Sequence, residues 1–144
     1  MQVRDPQRRE LGWYPFACPV PTRESDIDHQ GIVNNVALLG YYSEARGAWR
    51  RTWLEPGAPL YDVSTTLNVR ELETIYLHRA VHGSPIVIGL RILTASPSEC
   101  LLAAAAFQDD HCVSVQNCFL AYQRDHQWAD LPTAILERLR SQKS

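Results

Sequence analysis

The chain reads as an α+β protein in which an antiparallel sheet wraps one long helix, and three observations lead there. One amphipathic stretch stands out: from Val36 onward Leu38, Tyr42, Ala45, Trp49 and Trp53 recur at spacings of three and four, one face of an α-helix. Four long β-rich runs follow it before a short terminal helix. The turns between those runs are short, and short turns give antiparallel pairing because parallel strands need long crossovers.

In chain order, residues 1–11 are polar and are expected to be a mobile N-terminal segment, its Arg4, Arg8 and Arg9 offset by Asp5 and Glu10. Residues 12–23 nearly alternate through Trp13, Tyr14, Phe16, Cys18 and Val20, but Pro15, Pro19 and Pro21 restrict them to an edge strand or extended segment. A polar loop carrying Asp26 and Asp28 turns at Gly31, and Asn34 and Asn35 are good cap residues for the helix. That helix runs for ~20 residues, ~30 Å at 1.5 Å per residue. Ser43, Arg46, Arg50 and Arg51 fall largely outside its apolar stripe, and Pro56 and Gly57 stop it. Residues 61–78 form a long strand whose phase shifts around residues 71–73, the mark of a bulge. Residues 86–94 are rich in β-branched side chains, as a strand should be. Residues 100–107 have good helix propensity, yet they are short and lie between turn signals, so they read as a strand. Four alanines there suit a helix lying very close, with Ala45, Gly47 and Ala48 as its small residues. Residues 112–122 are the last long strand, and 132–139 are a short amphipathic helix with Pro132 near its start.

With 144 residues, 45% hydrophobic and 21% charged, the chain suits one globular domain over 1–144. A net charge of −2 without like-charge blocks gives no sign of a nucleic-acid surface. No apolar run nears the ~18–20 residues of a membrane span, and no apolar region follows the N-terminal basic residues as in a secretory signal. Cys18, Cys100, Cys112 and Cys118 lack Cys-x-x-Cys spacing and read as reduced thiols in a cytoplasmic protein. His78 and His82 lie four apart at a strand end, where that spacing does not converge, so no metal is expected.

The run Asp26-x-Asp28-x-x-Gly31-Ile32-Val33-Asn34-Asn35, followed by Tyr41-Tyr42-Ser43-Glu44-Ala45-Arg46, resembles the signature of the 4-hydroxybenzoyl-CoA thioesterase-like family of hotdog-fold acyl thioesterases. The signature covers roughly residues 23–46, and the order of elements after it also fits. The resemblance implies a hotdog fold, a homodimer or homotetramer with active sites at the subunit seam, and hydrolysis of an acyl-CoA or acyl-carrier-protein thioester. It implies no cofactor beyond the coenzyme A of the substrate.

Taken alone, Asp28 is a loop carboxylate suited to hydrogen-bonding turn N–H groups. The resemblance makes it the catalytic carboxylate, as nucleophile or general base, and leaves Asp26 to shape the loop. Thioester hydrolysis needs such a group and a place for charge forming on the carbonyl oxygen. A backbone N–H at a helix start supplies the second; the family register places it at Asn35, with Val36 beside it. Gly31 permits the sharp turn between acid and helix. Many relatives carry His where Ile32 stands, which shifts the chemistry onto Asp28, and His29 reads as a loop histidine. Thr65, with Ser64 and Thr66, is a candidate to line a pocket across the dimer. The turn at 95–98 has no positive charge, so Arg79, His82 or Arg91 is left to meet the nucleotide end of coenzyme A. The substrate-binding candidates are thus Gly31, Ile32, Val36, Thr65 and Arg79. The alternative is a hotdog protein that binds acyl thioesters without turnover, as a sensor or interaction module; a hydratase on the same fold ranks last.

Overall fold

Helix α1 spans Asn35–Trp53 and buries Leu38, Tyr41, Tyr42, Ala45, Trp49 and Trp53, the stripe read from the sequence with Tyr41 added. The structure is a computed structural model and describes residues 2–53 and 65–143. Around α1 lie β1 (Phe16–Val20), β2 (Thr65–Tyr76), β3 (Ile86–Ala95), β4 (Cys100–Gln108), β5 (His111–Arg124) and β6 (Gln127–Ala129). They form an antiparallel sheet ordered β1-β3-β4-β5-β2, with β6 added beside β5. This is the α+β hotdog architecture: one sheet on one long helix. A second helix, α2 (Thr133–Gln142), buries Leu136 and Leu139.

The sheet curves because its ladders slip. The β2–β5 register shifts between Val69 and Glu71, one step before the phase change anticipated at 71–73. Another shift between Ala106 and Phe107 leaves Val113 of β5 bulged, and its carbonyl accepts from both Leu77 N–H (2.8 Å) and His78 N–H (3.1 Å). Bulges bend a strand and increase its twist, so this one draws the end of β2 onto the start of β5.

The four alanines of β4 serve two faces. Ala104 and Ala106 belong to the core under α1, whereas Ala103 and Ala105 belong to a second apolar cluster on the outer face, with Phe107 and Val115. An antiparallel sheet that is apolar on both sides must be covered on both. Residues 2–14 supply the outer cover, so the mobile segment expected over 1–11 gives way to a packed strap. Arg8 is 0% exposed, and its guanidinium donates to the Gln116 carbonyl (2.9 Å) and to Asn117 Oδ1 (2.8 Å). The Tyr14 hydroxyl donates to the Arg8 carbonyl at 2.6 Å, and burial pushes that phenol up to about 12. Tyr14 fits only because β3 has a glycine beneath it: a Cβ at Gly89 would stand 2.7 Å from Tyr14 Cγ.

Arg46 also departs from the sequence reading. It is buried under the helix and donates to Gln116 Oε1 at 3.1 Å, while Gln116 donates onward to Thr74 Oγ1.

Candidate active site

The loop before α1 is pinned by four contacts. Tyr41 on the buried helix face donates its hydroxyl to Asp26 Oδ2 (2.8 Å), and Asn34 N–H donates to the Asp26 carbonyl (2.9 Å). Asp26 therefore ties loop to helix. Farther along, Val33 N–H donates to the Ala80 carbonyl (2.8 Å) and Ile32 bridges Val81, which fastens the loop to the segment after β2.

Between these anchors the chain makes a tight hairpin. Ile27 bridges Val33, Asp28 N–H donates to the Ile32 carbonyl (2.9 Å), and Gly31 N–H returns to the Asp28 carbonyl (3.0 Å). Gly31 sits at φ +79°, where a residue with a Cβ would be strained. Asp28 Oδ1 accepts from Gln30 N–H (2.8 Å) and Ile32 N–H (3.0 Å). Those bonds, Ile32's first, hold the Asp28 carboxyl below its ordinary value, with smaller help from His29 and Arg79. Asp28 Oδ2 has no hydrogen-bond donor among the described residues, and the side chain is exposed. One oxygen holds the turn; the other is uncommitted.

At the helix start Asn34 is the cap. Its Oδ1 accepts from Val36 N–H (2.7 Å) and its carbonyl accepts the first helical bond from Leu38 (3.0 Å). The Asn35 N–H has no acceptor among the described residues, as expected for the first position of a helix. A cavity of about 250 Å³ opens beside it, walled by Ile32, Asn35 and Leu38 on one side and by Tyr76, His78 and Arg79 on the other. The Tyr76 hydroxyl reaches across to the Asn35 carbonyl at 3.3 Å.

The structure thus gathers Ile32, Asn35 and Arg79 around one cavity, and Gly31 forms the turn that leads to it. Asp28 does not wall the cavity; it joins it through the Ile32 N–H. Val36 stays outside, its side chain 75% exposed and its N–H taken by the cap. Ser64 lies outside the described residues, as do the side chains of Thr65 and Thr66; the Thr65 backbone stands opposite Arg124, at the other end of β2 from Tyr76. Of the bases considered for the nucleotide, Arg91 is stacked on Trp13 at 4.6 Å, His82 meets Thr22 Oγ1 at 3.2 Å, and Arg79 lines the cavity. Tyr76 and His78 escaped the sequence reading as cavity residues. Their signal was the bulge, which decides the face on which the end of β2 presents each side chain.

The fold and this loop–helix unit define a hotdog domain. The chain matches the Thioesterase-like superfamily over residues 22–139 and belongs to that family. Its fold recurs in a thioesterase from Thermus thermophilus solved with coenzyme A and zinc, at 24% identity and a TM-score of 0.78, covering 90% of this chain and 95% of that one. The PA2801 protein of Pseudomonas aeruginosa is similar at 25% identity and a TM-score of 0.72, over 83% and 93% of the two chains. The SAV2348 protein of Staphylococcus aureus, solved with coenzyme A, shares 14% identity at a TM-score of 0.77, over 90% and 85%. No curated protein matches this chain. Among the described residues no helix is long and apolar enough to cross a membrane.

Proposed function

We propose that the protein is an acyl thioesterase that cleaves an acyl-CoA thioester, or the equivalent carrier-protein thioester, to a free acid and a thiol. The observation that carries this reading is the joining, in one pinned loop–helix unit, of an ionised carboxylate with a free oxygen and an unpaired helix N–H that opens onto a cavity. In this reading the thioester carbonyl oxygen accepts from Asn35 N–H, whose alignment with the helix dipole favours developing negative charge. Asp28 Oδ2 then attacks the carbonyl carbon, the C–S bond breaks, and the thiolate leaves as a mixed anhydride forms. Water hydrolyses that anhydride and restores Asp28. In the other version Asp28 takes a proton from a water that attacks the carbon directly. Its depressed titration keeps it ionised for either role.

The working unit is a homodimer or homotetramer in this reading. Support comes from β2, a 12-residue strand at the sheet edge that exposes Val69, Leu72 and Tyr76, with Tyr76 at the cavity. A second copy there would wall the cavity and meet Asp28.

The alternative, a domain that binds acyl thioesters without turnover, draws on the same residue: two N–H bonds into one oxygen are what a purely structural turn carboxylate makes. Thiol release from short, long and aromatic acyl-CoAs and from acyl carrier protein separates the two. The thioesterase reading expects multiple turnovers on at least one class. Tight binding of acyl thioesters with no thiol released would leave the sensor reading in its place.

A further inference from the structure

Among the described residues, the helix start offers a forming oxyanion one backbone donor. Asn35 N–H is open, but the next N–H, that of Val36, is taken by the Asn34 cap at 2.7 Å. A carbonyl oxygen has two lone pairs, so one donor leaves room for a second. A phenol stands beside that room. Tyr76 ends β2, where Ile75 and Leu77 pack on the outer apolar cluster and alternation turns Tyr76 toward α1. The Val113 carbonyl holds this strand end through Leu77 N–H. Tyr76 walls the cavity, and its hydroxyl comes within 3.3 Å of the carbonyl oxygen of Asn35, the residue whose N–H is open. That contact is long for an O–H···O bond, most of which span ~2.5–3.0 Å. It also goes to a carbonyl that the helix ladder already uses. The hydroxyl can therefore turn to a better acceptor without leaving a buried group unpaired. Burial pushes the phenol above its ordinary 10.0, so its proton is in place near neutral pH. Of the bases on the same wall, His78 faces His111 with ring centroids 6.1 Å apart, and Arg79 is close enough to Asp28 to lower its titration.

We propose that the Tyr76 hydroxyl is the second donor of the oxyanion site, a catalytic role for β2 beside that of the helix. The proposal rests on the thioesterase reading. Without substrate the hydroxyl donates to the Asn35 carbonyl; with substrate bound it turns to the thioester carbonyl oxygen, which Asn35 N–H also meets. As Asp28 or an Asp28-activated water adds to the carbonyl carbon, the C=O π pair moves onto oxygen and both donors tighten on the charge. The phenol keeps its proton. When the C=O bond re-forms the C–S bond breaks, and the thiolate leaves with that bond's electron pair. A donor that strengthens only as charge develops acts on kcat and little on KM.

The test is steady-state thiol release by the wild type and Tyr76→Phe on the best substrate of the acyl-CoA panel. Binding of coenzyme A and of that substrate's difluoroketone analogue is measured alongside. Phenylalanine keeps the ring, the cavity wall and the apolar strand edge, so the far-ultraviolet spectrum and the mass by light scattering should match the wild type. We expect kcat to fall by a factor of about 10²–10³, with KM within about twofold. The difluoroketone takes up a nucleophile and holds the tetrahedral oxygen, so its affinity should fall by about the same factor while coenzyme A binds as before. A Tyr76→Phe protein with wild-type kcat would overturn the role and leave the thioesterase reading standing. So would a loss carried by KM, or a changed mass, either of which makes Tyr76 a packing residue at the strand edge. A wild type that releases no thiol from any acyl thioester would remove the thioesterase reading, and this role with it.

Discussion

Asp28 divides its labour between two oxygens, and the division sets its pH behaviour. Because backbone N–H groups hold its titration below the ordinary 3.8, the carboxylate persists to lower pH than a free aspartate would. The same shift has a stability sign: a depressed folded value stabilises above the unfolded value and loses that effect as pH falls through the folded one. We therefore expect the acid limb of the kcat/KM profile to fall below the ordinary aspartate range, and a limb displaced upward would exclude Asp28 as the titrating group. Gly31 bears on the same oxygen. No side chain crowds the position, so Gly31→Ala meets only the backbone penalty of φ +79°, a loss of roughly 1–2 kcal/mol readable in the urea midpoint. Activity should drop further than stability does, because the turn aims Asp28. An aspartate opening a turn and a glycine closing it follow local rules, which is why the turn at Gly31 was legible in the sequence, while the Ile27–Val33 bridge that makes it a hairpin was not. The choice between Asn34 and Asn35 as cap was not, since both are good caps and only the fold decides which N–H remains open.

At the scale of elements, legibility tracked periodicity. The α1 stripe, the β2 bulge and the strand assignment of 100–107 could be read because spacing and turn signals are short-range. The burial of Arg46 and Arg8 could not, because their partners Gln116 and Asn117 lie 70 and 109 residues away in the chain. Nor could the strap: a polar segment looks mobile until the second apolar face that it covers is known. Gly89 is the point where strap and sheet meet most closely. Gly89→Ala would drive a methyl into the Tyr14 ring, and such overpacking costs ~1–3 kcal/mol. Thermal unfolding should show that loss, and Tyr14→Ala in the same background should recover part of it. A Gly89→Ala protein as stable as the wild type would mean the ring is not seated there.

Among the described residues the molecule has one sheet, covered on both faces, with β1 and β2 as its edge strands. If β2 is the seam between copies, a charge in its exposed apolar row should split them. Leu72→Asp, placed at a side chain 39% exposed in this chain, should halve the mass seen by light scattering and abolish turnover while the far-ultraviolet spectrum stays native. Unchanged mass would move the seam elsewhere. The central claim is narrower, that Asp28 does chemistry and not only geometry. Asparagine keeps an oxygen that can accept the Gln30 and Ile32 N–H bonds, so Asp28→Asn removes the charge and spares the turn. The deciding measurement is kcat for thiol release from the best acyl-CoA substrate, comparing wild type, Asp28→Asn and Asp26→Asn. We expect Asp28→Asn to lose a factor of about 10²–10⁴ in kcat with coenzyme A still bound, and Asp26→Asn to retain partial rate. Asp28→Asn turning over like the wild type would contradict the account.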